Sequence, residues 1–98
     1  SLQLTHFLHA AIAVTNLEKA EHFYGNILGL KKIDRVLKFP GAWYEINHIQ
    51  IHLIVSDNVS SSSHTNNHNT EKWGRNQHLA FSVVNLEAAK EVFTLHNY

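Results

Sequence analysis

An α+β fold, in which a curved sheet carries helices on its outer side, follows from three features of this 98-residue chain. A strand-turn-helix unit occurs twice, once from His9 to Ala20 and once from His78 to Ala89. The tripeptide Asn-Leu-Glu stands at the same distance from the opening histidine in both copies. Three further strand-like runs lie between the copies. The strands alternate a greasy face with a small or polar one, which is the pattern of a sheet packed on one side only. An internal repeat restricts the architecture more than any single motif does.

Taken in order, each element has a physical reason. In the first strand His9, Ala11 and Ala13 share one face and Ile12 and Val14 the other; in the second copy His78, Ala80 and Ser82 oppose Leu79, Phe81 and Val83. Asn16 and Asn85 are good N-caps, because a side-chain oxygen can accept from an unpaired first-turn amide. Glu18 and Glu87 then favour the positive end of each helix dipole. Leu17, Ala20, Phe23, Tyr24, Ile27 and Leu28 form a helical stripe, with Gly29 placed for a left-handed stop. That stripe should cover the greasy strand face and leave the small face looking into a ligand cavity.

The next run alternates Ile33, Arg35 and Leu37 with Asp34, Val36 and Lys38, and Pro40-Gly41 makes a turn. Residues 42–46 are rich in aromatic and β-forming types, and Asn47-His48 suits a two-residue hairpin turn. In the last run Ile49, Ile51, Leu53 and Val55 form the apolar face, so His52 lies opposite with Gln50 and Ile54. Residues 56–77 are polar, with a serine run and repeated asparagines, and read as a connection between modules. The organisation expected is therefore a first βαβββ module over 1–55, a polar loop over 56–77 and the start of a second module over 78–98.

Composition narrows the function classes. Net charge is zero and pI near neutral, so there is no electrostatic footprint for nucleic acid. The absence of cysteine permits a cytoplasmic location, and no apolar run reaches membrane-spanning length. The chain opens on Ser1 and holds no methionine, which suggests trimming. A sheet left with an unpaired edge beside an open cavity leads to the expectation of a homodimer.

His9 on the first strand, Phe23-Tyr24 with Leu28-Gly29-Leu30 at the end of the first helix, His52 on the fourth strand and His78 on the fifth together carry a resemblance. The chain resembles the vicinal oxygen chelate superfamily, which includes glyoxalase I, fosfomycin-resistance enzymes, extradiol dioxygenases and bleomycin-binding proteins. The resemblance covers nearly the whole chain outside the inter-module loop. It implies paired βαβββ modules forming a curved mixed sheet around a cavity, helices outside, with the second module incomplete here.

The resemblance also implies a divalent metal ion, zinc, nickel, iron or manganese, held by His9, His52 and His78. These match three of the family's four ligand positions, and the fourth, usually a glutamate on an eighth strand, has no counterpart. Glu45 matches no family position, so no proton carrier is assigned. The implied activity is that of a glyoxalase-like lyase or isomerase whose metal chelates two neighbouring oxygens of a small substrate. The alternatives are a ligand-sequestering protein like the bleomycin binders and an iron-dependent extradiol dioxygenase.

Several residues have two readings. A single strand histidine is more often a hydrogen-bonded structural residue than a ligand, but here three fall at matching points of a repeat. His6, His22, His48 and His96 are flanking, helix-surface or turn residues, and His64 and His68, although spaced as a helical pair, sit in a sequence that disfavours helix. Arg35 is a candidate for gripping a substrate carboxylate or phosphate, against an edge arginine paired with a surface acid. Trp43 and Tyr44 are candidate substrate-contacting aromatics, against core or cavity wall.

Overall fold

The computed structural model describes residues 1–36, 38–56 and 78–98. Two compact units divide the chain, Ser1–Val59 and Ser60–Tyr98. Within the described residues of the first unit the elements are β1 (His9–Val14), α1 (Leu17–Glu21) continued by a π-helical segment (His22–Ile27), β2 (Lys31–Ile33), β3 (Gly41–Ile46) and β4 (Ile49–Val55). The sheet order is β1-β4-β3-β2, with β1 parallel to β4 and the other pairs antiparallel. This is a complete βαβββ module with an open, mixed four-stranded sheet.

The expected face division holds. Ile12, Val14, Leu17, Ala20, Tyr24 and Leu30 pack on a buried centre of Ala42, Tyr44, Ile51 and Leu53. Leu53 is wholly shielded from solvent. Burying such side chains stabilises by about 1.5–3 kcal/mol each. The opposite face has no helix among the described residues of this unit. It carries His9, Ala11 and Ala13 beside Gln50, His52 and Ile54, as the register of β1 on β4 requires.

Local signals explain the element ends. Asn16 Oδ1 accepts from Lys19 N at 3.0 Å, and Gly29 has φ +74°, the left-handed stop that a glycine tolerates. Asn47 and His48 both have positive φ, 51° and 73°, as a type I′ hairpin turn demands. Two features depart from the sequence pattern. The first strand after the helix is only Lys31–Ile33, so Arg35 lies beyond it, and Leu37 falls outside the described residues. The helix also widens in its second half, where Leu28 N donates to Phe23 O at 2.8 Å, five residues back.

The widening goes with a close approach. A Cβ at Gly25 would stand 3.2 Å from Cε1 of Tyr44, so the buried Tyr44 ring lies directly against the π-helical backbone. Its hydroxyl is near Glu21, with Oε1 at 3.4 Å, and Glu21 also pairs with Lys32.

In the second unit α2 (Leu86–Leu95) begins as the repeat predicts, with Asn85 Oδ1 accepting from Ala88 N at 3.0 Å. The strand expected from His78 is not formed: among the described residues, 78–85 enters no ladder. A strand exists only when a neighbouring strand takes its backbone groups, which alternation of side chains cannot supply. The polar connection expected over 56–77, with His64 and His68, lies outside the described residues apart from Ser56, whose N–H donates to Val14 O at 2.9 Å.

At Gly41 an added Cβ would collide with the backbone carbonyl oxygen of Leu53, which cannot swing aside as a side chain could. Gly41→Ala is therefore expected to lower stability by about 1–3 kcal/mol. Urea denaturation checks this, with Ala13→Ser on the exposed strand face as a control that should change stability by less than about 0.5 kcal/mol.

Candidate functional site

The open face of the sheet carries the site. Cross-strand register sets Trp43 of β3 directly opposite His52 of β4, and Ala11 of β1 on its other side. His9, one pleat away on β1, reaches over the space that Ala11 leaves, and its ring stacks on His52 with centroids 4.1 Å apart and planes at 15°. Trp43 stacks on the opposite side of His52, again at 4.1 Å and with planes at 8°. Three rings thus stand in one row across three adjacent strands.

His52 is 9% exposed. Its Nε2 lies 2.8 Å from Gln50 Oε1. An amide oxygen only accepts, so this contact is a hydrogen bond in the tautomer that carries its proton on Nε2 and leaves the lone pair on Nδ1. Burial, then the neighbouring His9 and Arg35, hold the His52 pKa below the usual imidazole value. The environment of the middle ring accordingly favours its neutral form.

The substrate-gripping role expected of Arg35 meets a competing use of its guanidinium. Nη2 donates to Phe39 O at 2.8 Å and Nη1 to Gly41 O at 3.2 Å, while the group lies 5.0 Å over the Phe39 ring. Arg35 therefore fastens the segment between β2 and β3, and its partners are carbonyls rather than the surface acid of the alternative reading. Tyr44 lies on the core side of the sheet. Strand alternation turns it away from Trp43 into the core, where burial first, then the charge and hydrogen bond of Glu21, push its hydroxyl up to about 12. Only Trp43 of that pair faces the open side.

Of the three expected ligands, His9 and His52 come together in the first unit, and His78 belongs to the second. Imidazole suits zinc, nickel and iron by its softness. The His9–His52 pair as placed does not fit a shared ion. A coordinating nitrogen points its lone pair along the ring plane at a metal about 2.0–2.1 Å away, and near-parallel stacked rings direct their lone pairs along lines that do not meet. No group of three His, Cys, Asp or Glu residues able to hold a metal occurs among the described residues. His22, His48 and His96 are a helix residue paired with Asn26, a turn residue and a helix end, as expected.

Sequence reasoning missed Gln50 as the partner of His52 and Trp43 as its stacking wall. The parity of β4 gave Gln50 and His52 one face, but the wall depends on the register of β3 against β4, which no single run encodes.

A βαβββ module with one helix-covered face and one open, histidine-bearing face defines the general class. Residues 6–98 match the Glyoxalase/Bleomycin resistance protein/Dioxygenase superfamily, and the chain belongs to it. Solved structures with the same fold include a putative glyoxalase family protein from Bacillus anthracis, 22% identical with TM-score 0.71, covering 99% of this chain and 74% of that one. Lactoylglutathione lyase from Agrobacterium tumefaciens is 16% identical with TM-score 0.60, covering 96% and 71%. The fosfomycin resistance protein FosX from Listeria monocytogenes is 13% identical with TM-score 0.59, covering 97% and 68%. Among curated proteins nothing matches. The superfamily generally depends on divalent metals, binds small molecules and is often dimeric. No helix among the described residues is long and apolar enough to cross a membrane.

Because the folded pKa of His52 is lowered, the unfolded chain binds this proton more readily, so its contribution to stability is present above the unfolded value near 6.5 and is lost as pH falls below it. Denaturation midpoints are expected to fall between about pH 6.5 and 5, and His52→Phe is expected to flatten that part of the profile.

Proposed function

We propose that the chain is a glyoxalase-like enzyme of the lyase or isomerase type, acting on a small oxygen-bearing substrate held against the open face of the sheet. The row of His9, His52 and Trp43 on that face is the observation that carries the reading. Ala11 and Ala13 leave room beside the rings, and Trp43 supplies a flat apolar wall. Divalent-metal dependence is part of the reading, with His9 and His78, the opening residues of the two copies, as the donors to test separately. No catalytic group is assigned. A cytoplasmic homodimer completes the proposal.

A second reading, a ligand-sequestering protein without turnover, is favoured by one observation: the stacked His9–His52 pair does not converge on an ion. Metal separates the two. Elemental analysis after dialysis against zinc or nickel is expected to give bound metal in the wild type and a reduced content in His9→Ala and in His78→Ala. Equal metal in all three samples would remove His9 and His78 as donors, and no metal in the wild type would leave the binder. Light scattering at micromolar concentration is expected to return the mass of a dimer, and a monomer that still holds metal would end that part of the proposal.

A further inference from the structure

We infer that His52 is a positioning residue and not a metal ligand: held between His9 and Trp43, it fixes the plane of the His9 ring and so directs the nitrogens of that imidazole. The inference deepens the reading above and rests on it only for the role of His9 as a donor.

Four observations carry it. Both faces of His52 are covered, by His9 at 4.1 Å and by Trp43 at 4.1 Å, so its plane is set from two sides. Its Nε2 is engaged with Gln50 Oε1 at 2.8 Å. Turning either nitrogen toward an ion shared with His9 would break both stacks and that hydrogen bond together. The guanidinium of Arg35 is held nearby by two backbone carbonyls and acts electrostatically on His52, so a cation arriving there would meet a fixed like charge.

His9 is different in each respect. It is exposed and lies on the edge strand of the sheet among the described residues, with the small Ala11 next along the same face. Its ring can meet a ligand without dismantling anything, provided that a wall keeps it upright. His52 is that wall. A phenyl ring at position 52 would serve as a wall equally well, while offering no donor atom.

Zinc titration of the intact chain by calorimetry, with His9→Ala, His52→Ala and His52→Phe alongside, tests this. Zinc affinity is expected to drop about 10-fold or more in His9→Ala, to drop about 10-fold in His52→Ala, and to stay within about threefold of wild type in His52→Phe. Long-range nitrogen–proton NMR spectra of the wild type should show His52 with its proton on Nε2 before and after zinc, while the His9 signals move. A His52→Phe chain as weak as His52→Ala, or His52 nitrogens that shift to a coordinated position, overturns the inference.

A wild type that takes up no zinc ends the metal reading alone, and the ring row is then judged by the same spectra and by Trp43 emission in a Trp73→Phe background. A proton found on Nδ1 of His52, or Trp43 emission unchanged by His52→Ala, would then overturn the inference. A proton on Nε2 together with emission altered by His52→Ala and restored by His52→Phe supports it.

Discussion

The pairing of β4 with β1 on one side and β3 on the other is the interaction on which the rest of this unit depends. Its register runs from His9 on Gln50 to Val14 on Val55, and from Gly41 on Ile54 to Ile46 on Ile49. Because side chains alternate across a strand, a slip of one residue would turn Ile51 and Leu53 to the open face and drive His52 under the helix. A buried imidazole without its partner costs about 1–3 kcal/mol, and two aliphatic side chains would be lost from the core as well. Register, core and site are therefore held by one ladder.

The histidine row gains from that arrangement without supporting it. Aromatic pairs in stacked contact contribute about 0.5–1.5 kcal/mol each beyond the area they bury. That is less than the burial of Leu53 alone. The core fixes the backbone positions, the backbone fixes which rings meet, and the rings then settle one another's planes. A side chain in such a row can be exchanged for another ring at small cost, whereas the underlying strand cannot move.

Much of this was legible in the sequence. Asn16 and Asn85 cap their helices as their position before Leu-Glu implies, Gly29 adopts the left-handed stop, and Asn47-His48 makes the hairpin. The two faces of β1 and β4 followed from alternation alone. What stayed hidden depends on pairs of elements. The π-helical widening accompanies a tyrosine from β3 lying against Gly25, and the guanidinium of Arg35 is held by carbonyls of Phe39 and Gly41. Alternation alone puts Trp43 and Tyr44 on opposite faces, and pairing decides which of the two faces the core.

The repeat makes the same point from the opposite direction. The two helices open with the same cap and the same acidic first turn, yet α1 has Leu17 and Ala20 packed on the core while α2 has Leu86 61% exposed and Leu95 77% exposed. A cap contributes about 1 kcal/mol and the dipole interaction of a first-turn glutamate about 0.3–1 kcal/mol. A ten-residue helix is marginal on those terms alone, since most helical stability in proteins comes from packing an apolar face. Equal local signals therefore do not by themselves account for the support of a helix. For α1 that packing is present, because the β3–β4 ladder presents buried side chains beneath its stripe. That same ladder brings His52 to the open face of the first unit, so the support of α1 and the histidine row beyond the sheet have one physical origin.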